Sequence, residues 1–195
     1  MLKKFNSAGE INNYIDSKIW GSFLVDDIYI LGEYVKKLEA GDKYLEIGTA
    51  AGKSIASAIF QANDGVRFWT CDIVDDKGVK PKLSREEFFK EECLNRVCTF
   101  ILGESIEVAD TWNQGRLDMI FIDGDHSYAS VKKDILAWSG LLKKGGFMLF
   151  HDYSDYQFTA HQAINELVRD SGLFKDFFIA RNLGLESSIA GATKI

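Results

Sequence analysis

The chain has 195 residues, 46% of them hydrophobic and 27% charged, with a formal charge of −6 at pH 7. That length suits one domain with a full core, and the composition excludes an intrinsically disordered chain. The negative balance, with no compensating basic stripe, excludes a nucleic-acid partner, whose phosphates need Lys and Arg. Cys71, Cys93 and Cys98 are odd in number and lack zinc-ligand spacing, so they read as free thiols of a reducing cytoplasm. The opening MLKKFNSAGE lacks the apolar run of a signal peptide, and no stretch approaches the roughly 18 apolar residues of a membrane helix. A cytoplasmic globular protein without a membrane partner is expected.

In chain order, Leu24, Ile28, Leu31, Val35 and Leu38 recur at helical spacing and end at a Gly41 stop signal. Strands are expected over Lys43–Ile47, Val66–Cys71, Thr99–Leu102, Leu117–Ile122 and Phe147–Phe150. Helices alternate with them over Lys53–Gln61, Ser84–Leu94, Ile106–Trp112 and Ser130–Leu142. Ser84 and Glu87 have capping-box spacing. This alternation predicts an α/β fold with a parallel sheet. The 117–122 run is mostly apolar rather than alternating, as in a central strand covered on both faces. A further helix near Thr159–Asp170 precedes Asp176–Ala180 and Leu185–Ala190, joined by the short turn 181–184. Strands so close can pair only antiparallel, giving a terminal hairpin. One domain over 1–195 is expected, with a helical segment at 1–41 and the sheet core at 42–195.

Between the first strand and helix lies Glu46-Ile47-Gly48-Thr49-Ala50-Ala51-Gly52-Lys53-Ser54. Glycines in such a turn let backbone approach a ligand and aim helix N–H groups at it, although ordinary turns use glycine too. Asp72 ends the next strand, where an acid commonly accepts from ribose hydroxyls; the run Asp72-Ile73-Val74-Asp75-Asp76 also suits a turn or helix cap. Together they favour a nucleoside ligand. A dinucleotide turn would need a second glycine at Ala50. A P-loop would need four residues between its glycines, and Gly48 and Gly52 enclose three.

The stretch from Glu46 to Gly52 resembles motif I of class I S-adenosylmethionine-dependent methyltransferases, of form E-x-G-x-x-x-G. The resemblance implies a Rossmann-like three-layer α/β/α sandwich, its seven-stranded sheet mostly parallel with an antiparallel C-terminal hairpin. It implies S-adenosylmethionine as cofactor, held by Glu46, Gly48, Thr49, Ala50, Gly52, Ser54, Asp72, Gly103, Glu104, Ser105 and Asp123, with Asp72 on the ribose and 103–105 near the adenine. The segment Asp123-Gly124-Asp125-His126-Ser127-Tyr128 resembles small O-methyltransferases and macrolide-sugar methyltransferases. There it implies catalytic roles for His126 and Asp123, His126 being the general base, and a divalent metal on Asp123, His151 and Asp152. An imidazole ligand suits manganese, iron or zinc better than magnesium, so the metal's identity stays open.

A sulfonium methyl group is already electrophilic, so the protein must align an acceptor and help remove its proton. The resemblance to small O-methyltransferases and macrolide-sugar methyltransferases implies a small hydroxylated acceptor such as a sugar or secondary metabolite; a homodimer is left open. Against the base role, Asp125-His126-Ser127-Tyr128 reads equally as a helix cap with His126 packed on Tyr128, and the acids and histidine as a metal-free network. His161 reads as a surface residue. Most aromatics, Trp69, Trp112 and Trp138 among them, read as core. Tyr153-Ser154-Asp155-Tyr156 reads as acceptor-pocket lining and Trp20-Gly21-Ser22-Phe23 as a lid. A P-loop-like phosphotransferase and a non-catalytic cofactor-binding module are the competing readings.

Overall fold

The computed structural model describes residues 2–75, 78, 81–155 and 157–195; Asp76 and Tyr156, named above, lie outside them. Seven strands form one sheet: β1 Lys43–Ile47, β2 Arg67–Asp72, β3 Cys98–Leu102, β4 Leu117–Ile122, β5 Leu142–Phe150, β6 Phe174–Ile179 and β7 Ala190–Lys194. Their order is β3-β2-β1-β4-β5-β7-β6. The pairings among β1 to β5 are parallel, while β7 pairs antiparallel with both β5 and β6. This is the Rossmann-like arrangement expected, with its antiparallel C-terminal pair.

Alternation along the strands divides two apolar layers. Tyr44, Phe68, Met119 and Phe121 face a cluster built with α1 (Ala8–Lys18), α2 (Val25–Val35), α3 (Lys53–Gln61) and α4 (Arg85–Glu91). Leu45, Ile47, Ile120 and Ile122 face the other, built with α5 (Ser105–Asp110), α6 (Tyr128–Ser139) and α7 (Ala160–Ile164), which continues as a π-turn to Arg169. Each fully buried side chain of this kind contributes about 1.5–3 kcal/mol, which is why β4 is apolar except at Asp118, whose carboxylate accepts from the Lys43 N–H at 3.0 Å.

The structure departs from expectation in four main places. Strand β5 begins at Leu142 rather than Phe147, so α6 ends at Ser139 rather than Leu142. The 1–41 segment holds two helices. Ser7 caps α1 by accepting from the Glu10 N–H, and Ile11, Ile15 and Ile19 bury its inner face. Helix α2 stops at Val35, well before Gly41, whose N–H bonds the Gly65 carbonyl at 2.9 Å. The last strand is Ala190–Lys194, not Leu185–Ala190. Residues 186–188 are drawn aside instead: the Glu186 N–H bonds Asp26 at 2.7 Å and the Ser187 hydroxyl bonds Asp27 at 2.7 Å. Side-chain pairing with α2 thus overrides a β-compatible sequence.

Candidate active site

The strand order reverses between β1 and β4, so the crevice beyond their C-terminal ends is where an open α/β sheet takes a ligand. A cavity of about 1290 Å³ lies there. Gly48 is forced by close approach: at φ +86° it runs against β4, and an added Cβ would lie 2.2 Å from the Asp123 carbonyl oxygen. Ala50 also takes a positive φ of 43°, a costly state for a residue with a side chain. Asp72 holds this bend: its Oδ2 accepts from the Thr49 and Ala50 N–H groups at 2.8 Å each, and Oδ1 from Val74 N–H at 2.9 Å. The aspartate is therefore a loop anchor as well as a cavity wall.

Gly48, Thr49, Ala50, Ser54, Asp72, Gly103, Glu104, Ser105 and Asp123 line the cavity. Glu46 and Gly52, expected to contact a cofactor, stand behind that wall. Glu46 is fully buried, accepting from Ser54 Oγ at 2.8 Å and Tyr44 OH at 3.1 Å. Burial and then Asp123 push its carboxyl well above the usual range. Gly52, at φ +88°, leaves room for Phe89, whose Cε2 would lie 2.8 Å from an added Cβ. Arg85 braces the same loop, donating to the Ala50 carbonyl at 3.0 Å and to Asp75 at 3.0 Å. Lys53, the lysine a P-loop would turn onto phosphates, is 2.8 Å from Asp16.

Across the switch point a dense polar cluster forms. His151 Nδ1 lies 2.9 Å from Asp123 and 3.0 Å from Asp152, and its Nε2 lies 3.3 Å from Asp27. Burial alone would push this imidazole down; the charge of Asp123 and hydrogen bonds to the three carboxylates outweigh it and lift it to about 12. Burial raises Asp123 against the pull of His151. In Asp152 burial works upward too, but the His151 bond and charge win and hold the carboxyl low. Asp152 sits at φ +55° and donates its N–H to Ser188 Oγ at 3.0 Å, strain of the kind that collects at working sites.

His126 Nε2 lies 3.2 Å from Asp152, and its ring packs on Phe158, not Tyr128, with centroids 4.7 Å apart. Asp125 accepts from Ser127, the N-cap of α6, and from Ser130, so the second acid of the 123–128 segment braces the helix cap at the cavity's edge. Ligand atoms of Asp123, His126 and Asp152 all lie within 4.8 Å of one another, a set of mixed N and O donors able to converge on one ion. His151, expected as a metal ligand, has both ring nitrogens turned to carboxylates.

Tyr153 is buried and bonds Asn165 at 2.8 Å, while Ser154 and Asp155 line the cavity. Residues 20–23 reach the cavity too, but Phe23 is pinned in the core against His151 and Phe121. His161 lies on α7, away from the cavity lining.

Sequence reasoning missed Asp27, Ser188 and Asp134. A buried acid inside an apolar helical stripe was the available signal for Asp27; it also bonds its own N-cap, accepting from Leu24 N–H at 3.0 Å. Asp134 lies on α6, is 6% exposed and lines the cavity near Ser105. Nothing local marks Ser188, which the fold brings to Asp152 from the far end of the chain.

An uncharacterised protein of Acanthamoeba polyphaga mimivirus, R132, is 28% identical over 175 residues, covering 80% of this chain and 73% of its own. Among solved structures, the O-methyltransferase from Bacillus cereus in complex with SAH superposes with a TM-score of 0.68 at 16% identity, covering 100% of this chain and 93% of its own. The MycE methyltransferase of the mycinamycin biosynthetic pathway, in complex with Mg and SAH, gives 0.67 at 14% identity, over 98% of this chain and 55% of its own. At such identities the likeness is one of fold. Residues 45–153, from β1 through the cluster at the end of β5, match the family described as methyltransferase domain, and the chain belongs to that family.

Proposed function

We propose that the protein transfers the methyl group of S-adenosylmethionine to a hydroxyl of a small molecule, a sugar or secondary metabolite. One observation carries this: a single cavity joins the Gly48–Ala50 bend and Asp72 to the Asp123–His126–Asp152 cluster. The fold relatives bound to SAH support the cofactor. A carboxylate has about four acceptor positions, and Asp72 uses three on backbone, leaving one for a ribose hydroxyl. Thr49, Ala50 and Asp123 face the cofactor's amino-acid end, and Gly103, Glu104 and Ser105 its purine; Glu46 and Gly52 shape the bend from behind. When bound, the cofactor supplies an electrophilic methyl group.

The protein's own work is alignment and proton removal. The His126 ring nitrogen that does not face Asp152 accepts the acceptor's hydroxyl proton, and Asp152, held low by His151 and 3.2 Å from Nε2, stabilises the imidazolium that forms. Asp27 and His151 keep both carboxylates in place. Proton removal matters most for an alcohol, whose pKa lies far above neutrality, and less for a phenol.

A metal-assisted variant rests on the convergence of Asp123, His126 and Asp152. These residues would hold the ion, His126 taking the place the 123–152 pattern gave to His151. A divalent cation there would supply Lewis-acid lowering of the hydroxyl's pKa. The O-methyltransferase and macrolide-sugar subgroup remains part of this proposal, supported by the 123–128 segment and the Mg-bound fold relative. A reducing cytoplasm suits the three free cysteines. No helix among the described residues is long and apolar enough to cross a membrane.

The test is transfer of radiolabelled methyl from S-adenosylmethionine to a panel of glycosides, alcohols and phenols, with EDTA, magnesium or manganese. Labelled ether product supports the reading, and its loss in EDTA with recovery in metal selects the second variant. Thermal stabilisation by magnesium-ATP and none by SAH would refute it.

A further inference from the structure

Asp134 has no part in the chemistry above, yet its surroundings are built. It projects from α6 into the cavity, 6% exposed, on the β2 side of the switch point with Cys71 and Ser105. Ser105 Oγ accepts from Trp138 Nε1 at 2.8 Å, and Trp138 is itself fully buried. That bond fixes the Ser105 hydroxyl beside the Asp134 carboxyl, where it offsets part of the cost of burial. A nearly buried carboxyl thus stands at the cavity wall beside a serine that Trp138 holds in place.

The charges acting on Asp134 do not explain its retention as a core ion pair. Burial raises its pKa to about 6, Asp125 and Glu104 add to that rise, and Lys133 opposes it weakly. A buried carboxyl held by one neutral hydroxyl is costly to stability, and such groups collect where a ligand completes their hydrogen bonding.

We infer that Asp134 reads the 6-amino edge of the cofactor's purine, making it a specificity residue for adenosyl over 6-oxopurine ligands. The inference rests on the cofactor reading above, because Gly103–Ser105, its neighbours on the cavity wall, form the purine end there. A carboxylate oxygen of Asp134 accepts from the N6 amino group. A hypoxanthine ring presents a carbonyl oxygen at the same place, so two acceptors would face each other. Unmet or opposed buried acceptors discriminate far more strongly than apolar contacts do.

The experiment is calorimetric titration of the whole chain with SAH and with S-inosylhomocysteine, which carries a 6-oxo group and the accompanying N1–H in place of the 6-amino group. The wild type should prefer SAH by roughly 10- to 100-fold, the range for one hydrogen bond to a charged group. In Asp134→Asn the preference should fall below about threefold or reverse, because an amide can turn its NH2 toward the 6-oxo group. Asp134→Ser provides a second variant without the carboxyl should the asparagine chain fail to fold, with the same collapse expected. Equal affinity of the wild type for both ligands, or a wild-type ratio retained in a folded variant, overturns the assignment while leaving the cofactor reading intact. Failure of the wild type to bind SAH removes both.

Discussion

Replacing Asp72 tests how one side chain can serve both loop and ligand. In Asp72→Ala the N–H groups of Thr49, Ala50 and Val74 lose their acceptor together. Hydrogen bonds to a charged acceptor contribute about 1.5–3 kcal/mol each when shielded. Ala50 and Val74 are exposed, so water replaces much of what is lost there, and a cost nearer 1 kcal/mol per bond applies. The Thr49 bond is shielded and keeps its full value, so the sum is a loss of about 3.5–5 kcal/mol in urea unfolding. Asp72→Asn keeps one carbonyl oxygen for the bend and should lose about half as much. The ligand effect is separate. Both variants lack the carboxylate that would take a ribose hydroxyl, so SAH affinity should fall roughly 10- to 100-fold in each by calorimetry. Asparagine therefore preserves most of the fold but not the affinity. Wild-type SAH affinity in folded Asp72→Asn would refute the ribose role and leave Asp72 as a loop anchor alone.

Gly48→Ala sets a Cβ 2.2 Å from the Asp123 carbonyl at a positive φ, so backbone must move; we expect at least about 3 kcal/mol lost in urea unfolding, and a loss under about 1 kcal/mol would contradict the close approach. For Asp134 the folded carboxyl sits near 6 against 3.8 unfolded, so its favourable contribution is complete below about pH 4 and disappears as pH rises through 6. Asp134→Asn should accordingly stabilise the ligand-free protein by about 2–3 kcal/mol at pH 8 and not at pH 4, read as urea midpoints at the two pH values. His126→Ala should lower methyl-transfer kcat by about 10²–10⁴-fold with SAH affinity within a few-fold of wild type; unchanged kcat on an alcohol acceptor would remove the base role.

The sheet was readable because its signals are local. Short apolar runs over 43–47 and 117–122, a glycine bend and the Ser84–Glu87 capping box each act within a few residues, and each element formed as expected. Helix α1 was overlooked although Ser7 and Glu10 carry its cap and Ile11, Ile15 and Ile19 its stripe; polar residues between them thin the pattern. The final strand was misplaced because contacts across the whole chain, Glu186 with Asp26 and Ser187 with Asp27, decide where it begins.

The site divides the same way. Asp72, Asp123, His126 and Asp152 stand at strand ends and could be found there. Glu46 has the right sequence position, but strand alternation turns it under the bend toward Tyr44 and Ser54. Asp27, Ser188 and Asp134 enter only through packing, since each comes from an element whose sequence says nothing of the cavity it will face. The pairing of His151 with Asp27 likewise depends on how α2 crosses the end of β5.

The central claim is that one nucleoside cofactor spans the switch point between β1 and β4. A crystal structure of the protein with SAH tests it directly. The account places the ribose on Asp72, the homocysteine sulfur toward His126 and the purine against Ser105 and Asp134. SAH seated elsewhere, with this crevice empty or closed by side chains, would contradict it.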